Sequence, residues 1–213
     1  MIEILHEDRC FLVCLKPAGV LSTDESGGLP ELLRQQLNIE NIRTVHRLDA
    51  ATGGVMVLAK TKQAASLLSK QMQQTGFAKE YFAIVCGAPP EEGSLEDLLG
   101  RDPVRRITYV TDTPGKDVRE AKLDYTVLAR TDTNSLVRVN LHTGRTHQIR
   151  VQFASRGYPL LGDRKYGDGE GALALWSCHL AFRHPFENTP MEFFHTPPKG
   201  APWDLFDSKI YTR

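Results

Sequence analysis

Strand-like and helix-like segments follow one another irregularly along this chain, and that pattern constrains the fold most. Lys79–Cys86 alternates Tyr81, Ala83 and Val85 against Phe82, Ile84 and Cys86, the two-residue period of a pleated strand. Leu136–His142 sets Val137, Val139 and Leu141 against Leu136, Arg138, Asn140 and His142 in the same way. Cys10–Leu15, Val55–Lys60, Ala121–Arg130 and Leu173–Phe182 are further apolar, strand-like runs. Leu29–Leu37 reads as a short helix with Pro30 near its first turn, where the missing N–H is harmless. Lys62–Gln74 contains neither Gly nor Pro and is rich in Ala, Leu, Gln and Lys, which predicts a second helix. A third is expected over Thr143–Arg156: Ile149 and Phe153 share a face, Thr143 or Thr146 can cap it, and Gly157 and Pro159 stop it. Without regular β-α-β alternation the prediction is an α+β fold, not a doubly wound sheet.

Gly87–Glu120 differs from its surroundings. It holds Pro89, Pro90, Pro103 and Pro114 among many acids, so it is expected to leave the core as a long surface hairpin or loop and to mark a lobe boundary. The chain of 213 residues suits one bilobed domain. No apolar run approaches the roughly 20 residues needed to span a bilayer, and the acidic start M-I-E-I-L-H-E-D is not expected to be a signal peptide. The four cysteines form no C-x-x-C pair, which favours reduced thiols in a cytoplasmic protein. His142 and His147, or His179 and His184, are five apart and miss a shared helical face, so structural or RNA-facing histidines are favoured over a metal site.

Two stretches carry chemistry. In His46-Arg47-Leu48-Asp49-Ala50-Ala51-Thr52-Gly53-Gly54 a carboxylate sits between an arginine and a Thr-Gly-Gly turn. It reads either as an Asx turn or as an Asp nucleophile or acid/base on a stiff turn. In Thr143–Arg156 the arginines read either as a solvated basic face or as a division of labour. In the second case Arg145 and Arg156 meet phosphates while Arg150 turns inward to pair with a carboxylate. Tyr81 is either a packing residue or a platform for an unstacked base. The glycines of Gly162–Gly171 match neither a P-loop nor a dinucleotide fingerprint, and G-x-S-x-G and H-E-x-x-H are absent. No cofactor and no metal are therefore expected.

Taken together, Lys16-Pro17-Ala18-Gly19-Val20, His46-Arg47-Leu48-Asp49 with Thr52 and Gly54, Lys79-x-Tyr81, Thr143-Gly144-Arg145-Thr146-His147-Gln148-Ile149-Arg150 and Gly162-Asp163-x-x-Tyr166-Gly167 resemble the RluA-type pseudouridine synthases. The resemblance implies isomerisation of a specific uridine in rRNA or tRNA to pseudouridine, with no cofactor and RNA as the partner. It implies a mixed, mostly antiparallel curved sheet flanked by helices, with a central cleft between two lobes. By similarity Asp49 matches the catalytic aspartate, Tyr81 the tyrosine stacked on the flipped uracil, and Arg150 the basic residue paired with the aspartate. Arg47 matches the residue that fills the gap left by the flipped base, and His46, Arg145, His147 and Lys165 are the other expected RNA contacts. Two departures stand out: the usual Thr-Ser-Gly is Thr52-Gly53-Gly54 here, and Cys10–Gly19 is already catalytic-domain sequence, which leaves no room for a small N-terminal RNA-binding domain. Recognition is then expected from the catalytic domain alone, acting as a monomer away from membranes. A non-enzymatic RNA-binding module and a retaining glycosidase, which needs a partner carboxylate about 5 Å from the nucleophile, are the competing readings.

Charge fits this expectation only when it is resolved along the chain. The 26 Lys+Arg balance 26 Asp+Glu, which argues against a strong non-specific grip on nucleic acid. Yet Asn41–Val85 carries +4 and Leu136–Tyr166 carries +5, leaving −9 for the rest. If the two basic segments meet at one cleft, a neutral chain presents a basic face to RNA.

Overall fold

The computed structural model describes residues 1–74 and 76–212. In chain order its elements are β1 (Glu3–Glu7), β2 (Phe11–Lys16), α1 (Leu29–Leu37), β3 (Arg43–Thr44), β4 (Gly53–Ala59), α2 (Lys62–Met72), β5 (Ala78–Cys86), β6 (Glu92–Asp102), β7 (Ile107–Thr111), β8 (Arg119–Arg130), β9 (Asn134–Leu141), α3 (Gln148–Ala154), β10 (Leu175–Arg183) and β11 (Pro190–Phe194). The class is α+β. The chain forms two compact units, one of residues 1–79 with 176–195 and the other of residues 80–175 with 196–213. Among the described residues no helix is long and apolar enough to cross a membrane.

In the first unit the strands run β1-β2-β4-β10, with β3 added to β4 and β11 to β10. Every residue of β2 and β4 is buried, which accounts for a composition that is apolar throughout except for Lys16. Their antiparallel register pairs Lys16 with Gly54, so the chain leaving β2 runs beside the chain entering β4. Strand β10 lies parallel to β4 and sets Trp176 against Gly53 and Ser177 against Gly54. Gly54 has φ +120, and a Cβ there would fall 2.2 Å from the Ser177 carbonyl oxygen, so the position admits only glycine. Helix α1 buries Leu29 and Leu33 and ends at Asn38 in the left-handed conformation. Helix α2 is capped by Thr61 Oγ1, which accepts the Ala64 N–H at 3.1 Å, and buries Ala64 and Leu68, four apart.

In the second unit the strands run β5-β9-β8-β6-β7, antiparallel throughout. The segment Gly87–Glu120 forms a hairpin, β6–β7, as expected, but β6 also pairs with β8, so the hairpin is built into the sheet, and the segment lies wholly inside this unit. Strand β6 pairs with β8 from Glu92↔Thr126 to Leu99↔Arg119, and Leu95 and Leu99 are buried. Its prolines fall where a ladder loses nothing: Pro89 and Pro90 precede β6, Pro103 lies in the β6–β7 turn and Pro114 follows β7.

Helix α3 also differs from expectation. It starts at Gln148, after His147 at φ 55, and no side chain caps it. Thr143 Oγ1 donates to Gln148 Oε1 at 2.8 Å, and the Thr146 carbonyl accepts from Thr108 Oγ1 at 2.9 Å. Arg145 therefore precedes the helix. All six residues Gln148–Phe153 are buried, which rules out a solvated basic face.

Candidate active site

The first unit holds Asp49 in a turn whose backbone is tied on both sides. Ahead of it, the buried Ser22 hydroxyl donates to the Leu48 carbonyl at 2.6 Å and accepts the Leu48 N–H at 3.1 Å. Behind it, the Ala50 carbonyl accepts from the Gly19 N–H at 2.8 Å and from Lys16 Nζ at 3.1 Å. The Thr52 N–H closes the turn on the Asp49 carbonyl at 3.0 Å. Lys16 is fully buried and also donates to the carbonyls of Pro17 at 2.9 Å and Val20 at 2.6 Å. The Lys-Pro-Ala-Gly segment thus clamps the aspartate turn. Burial pushes the Lys16 ammonium down to about 8, with the charge of Asp49 opposing the shift. Asp49 itself is partly exposed.

Its neighbours diverge. Arg47 is exposed. The His46 ring turns toward the sheet, where Nε2 accepts the Val57 N–H at 3.2 Å and the ring meets Phe77 edge-on. Burial, then the charge of Lys79, pushes His46 down to about 3, so the imidazole is neutral. Gly53 has its own reason to lack a side chain. A Cβ there would stand 2.6 Å from Cζ3 of Trp176, so this chain's departure from Thr-Ser-Gly accompanies an indole packed against the turn.

The second unit organises Arg150, His147 and Lys165 around two residues that the sequence placed only in a glycine turn. Arg150 donates from Nε to Asp163 Oδ2 at 2.7 Å and from Nη2 to Asp163 Oδ1 at 2.8 Å, a planar two-point pairing. Both are buried, Asp163 fully. Burial pushes the Asp163 carboxyl up, but the Arg150 hydrogen bonds and charge with the N–H groups of Lys165 and Tyr166 outweigh it and hold it below the ordinary carboxylate range. The Tyr166 ring lies under the Arg150 guanidinium at 5.2 Å, and its hydroxyl bonds His147 Nδ1 at 2.7 Å and accepts the Thr108 N–H at 2.8 Å. Lys165 Nζ donates to the Arg106 carbonyl at 2.8 Å, which ties this turn to the tip of the β6–β7 hairpin.

Tyr81 is buried in β5 opposite Val139. Arg145 is exposed and donates to the Glu120 carbonyl at 2.9 Å. Arg156, weighed as a phosphate contact, spends its fork on Asp97 at 2.9 and 3.1 Å. Sequence reasoning missed Ser22, Asp163, Tyr166 and the clamp formed by Lys16. A buried-lysine motif and the Gly-Asp-x-x-Tyr-Gly turn carried the signal for three of them, whereas nothing local marked Ser22.

The metal-capable set Asp8, Cys10 and His184 has ligand atoms within 4.8 Å of one another. Asp8 Oδ1 is occupied by the N–H groups of Cys10 and Phe11, and Oδ2 by His6 and His184 at 3.1 Å each. His184 Nδ1 accepts from the N–H groups of Phe186 and Glu187, which leaves its proton on Nε2, aimed at Asp8. The donor set fits a hydrogen-bond hub and not a cation.

A family model described as RNA pseudouridylate synthase matches residues 10–155. The dual-specificity RNA pseudouridine synthase RluA of Yersinia pestis is 35% identical over 206 residues, which cover 89% of this chain and 96% of that protein. The ribosomal large subunit pseudouridine synthase D of Pseudomonas aeruginosa is 38% identical over 174 residues, 78% of this chain and 53% of that longer protein. Among solved structures, human RNA pseudouridylate synthase domain containing 1 has the same fold, with a TM-score of 0.81 over 96% of this chain and 87% of its own at 24% identity. With the motif blocks in the family's order and the matched region spanning most of its length, the chain belongs to the RNA pseudouridylate synthase family, isomerases that act on uridine in RNA.

Proposed function

We propose that this chain converts a uridine of ribosomal or transfer RNA to pseudouridine, with Asp49 as the catalytic carboxylate and Tyr81 and Arg150 completing the catalytic set. The observation that carries the reading is the clamped turn: Ser22, Gly19, Lys16 and Thr52 together fix the backbone on both sides of Asp49. A carboxylate held by its own backbone need not reorganise when it reacts, which is the form preorganised catalysis takes.

The reaction breaks the N-glycosidic bond, turns the uracil and joins it to the sugar through carbon. Its atoms balance within one nucleotide, so the residues above suffice without an added oxidant, reductant or water. Reaching that bond requires the base to leave its stack, at about a few kcal/mol. Arg47, exposed two residues before Asp49, is suited to fill the vacated space, and Tyr81 offers a ring to the flipped base. Arg145, His147 and Lys165 supply cationic or polar contacts to the strand. The neutral, sheet-facing His46 supports the turn rather than the phosphates. Thiols at all four cysteines suit the reducing cytoplasm, where we assign the protein.

The test is conversion of unmodified rRNA and tRNA transcripts by the parent chain and by Asp49→Asn. The parent is expected to form pseudouridine, and the variant to form none while still binding RNA. Conversion by Asp49→Asn at the parental rate overturns the role of Asp49, and an inactive parent that binds RNA favours a binding module over an enzyme.

A further inference from the structure

Beside the aspartate turn the first unit carries an open depression of about 530 Å³, lined by Thr23, Asp24, Arg43, Thr44, Val45 and Arg47 among others. None of these residues except Arg47 has a part in the reading above. The charges on its wall do not cancel. Asp24 is held on both oxygens by Arg34, at 2.6 and 3.1 Å, so its charge is already compensated from outside the depression. His46, also on the wall, is neutral. Arg43 and Arg47 remain as the wall's cations without an ion-pair partner among the described residues.

Arg43 adds a second, independent observation. Its Nε is buried and has no hydrogen-bond partner among the described residues. An N–H removed from water without an acceptor costs about 1–3 kcal/mol, and a guanidinium carries that cost beside a full charge. Its backbone is fixed because β3 pairs with β4, setting Arg43 against Ala59 and Thr44 against Leu58. The residue therefore has a fixed backbone and one unsatisfied guanidinium donor, and it lines a space larger than a phosphate group alone requires.

We infer that this depression is a subsite for a nucleotide of the RNA strand flanking the target uridine, with the Arg43 guanidinium on its phosphodiester. A planar fork with a donor lacking an acceptor matches the paired oxygens of a phosphodiester. The volume admits the attached sugar and base, which Val45 and the Thr44 side chain would face. The inference rests on the RNA-modifying reading and deepens it: only four residues separate Asp49 from β3, so a nucleotide held here is a near neighbour of the one being isomerised. Arg43 would then contribute to which uridine is chosen.

Filter binding of unmodified, in vitro transcribed large-subunit rRNA and tRNA from about 50 to about 200 mM salt tests it. Arg43→Met is expected to weaken binding roughly tenfold and to lower the slope of log K against log salt by about one. Parental affinity and slope in a variant with the parental melting temperature overturn the subsite. If Arg43→Met fails to fold, Arg43→Lys carries the test: it keeps the charge but loses the Nε donor, so a loss of affinity with the slope retained supports the subsite and parental affinity overturns it. Uridine 5′-monophosphate is the competitor. If it displaces RNA from the parent but not from Arg43→Met, the strand itself occupies the subsite; if it binds the parent through Arg43 without displacing RNA, the occupant is a free nucleotide and the RNA-strand assignment falls. Pseudouridine formed by the parent is counted on the same transcripts: an inactive parent overturns the isomerase reading alone, and unchanged binding by Arg43→Met overturns the subsite alone.

Discussion

Arg150 and Asp163 pair through two parallel hydrogen bonds of 2.7 and 2.8 Å, with the carboxylate side chain wholly excluded from solvent. Breaking a buried pair by neutralising one member strands the other charge and costs about 3–5 kcal/mol. Asp163→Asn is therefore expected to lower the urea midpoint of unfolding strongly and to reduce pseudouridine formation, since it releases the guanidinium from its plane over Tyr166. The folded Asp163 carboxyl titrates below its ordinary value of 3.8. Its contribution is thus complete above that value and is lost as pH falls through the lower, folded one. In urea titrations, the parent's advantage over Asp163→Asn is expected to persist down to about pH 4 and to shrink in stronger acid; an advantage that shrinks from neutrality downward contradicts this.

The Trp176 indole fills the space that a side chain at Gly53 would need, with Cζ3 2.6 Å from the Cβ position. Gly53→Ser, which restores the family's usual Thr-Ser-Gly, is expected to destabilise this chain by about 1–3 kcal/mol through overpacking. That corresponds to a drop of about 2–4 °C in melting temperature per kcal/mol for a chain of this size. Trp176→Leu vacates the space, so the same serine substitution is expected to cost much less in that background. A double-mutant cycle by calorimetry reads the coupling, and strictly additive losses would show that the indole is not what excludes the serine.

Local chemistry carried the sequence reading as far as it reached. Helix α1 spans Leu29–Leu37 as its proline and apolar spacing require, and the Asp49 and Arg150 blocks, each open to two readings by itself, stood out by their resemblance to a family's motifs. What stayed hidden depends on partners far along the chain. Gln148, Arg150 and Gln152 make α3 look like a solvated helix, yet they are buried, because Lys122, Asp163 and Leu95 supply acceptors from 13 to 57 residues away. Strand β6 has few apolar residues to reveal a period. It is a strand because β7 and β8 flank it on either side, and its nearby prolines, which read as loop markers, sit just outside the ladder. The clamp by Lys16 spans 34 residues, and only the β2–β4 register brings its ends together.

That clamp has a pH signature. The folded Lys16 ammonium loses its proton near pH 8, whereas its ordinary value is 10.5. Between those values the unfolded chain holds a proton that the folded protein has released, so stability due to this group rises with pH through the window. The rise is at most about 1.4 kcal/mol per pH unit. Lys16→Met removes the titration and also the donors to Pro17, Val20 and Ala50. Relative to Lys16→Met, the parent is expected to gain in urea midpoint from about pH 8 to about pH 10, and the variant to lose activity as the Asp49 turn loosens. A parent-to-variant difference that stays flat over this range excludes a buried, titrating lysine.

His46 gives a slope of the same sign in a lower window. Its folded value is about 3 against an ordinary 6.5, because burial and Lys79 disfavour the charged ring. Between these values the unfolded chain binds a proton that the folded protein refuses, so acid withdraws stability as pH falls below about 6.5, by up to about 1.4 kcal/mol per unit. Asp163 acts only below 3.8, which leaves the range from about 6.5 to about 4.5 to this histidine within the pair. His46→Gln keeps an acceptor for the Val57 N–H that His46 Nε2 accepts at 3.2 Å but cannot titrate. The variant is expected to hold its urea midpoint across that range while the parent's falls. Equal acid sensitivity in the two proteins would mean that the ring reaches solvent and takes up its proton in the folded state.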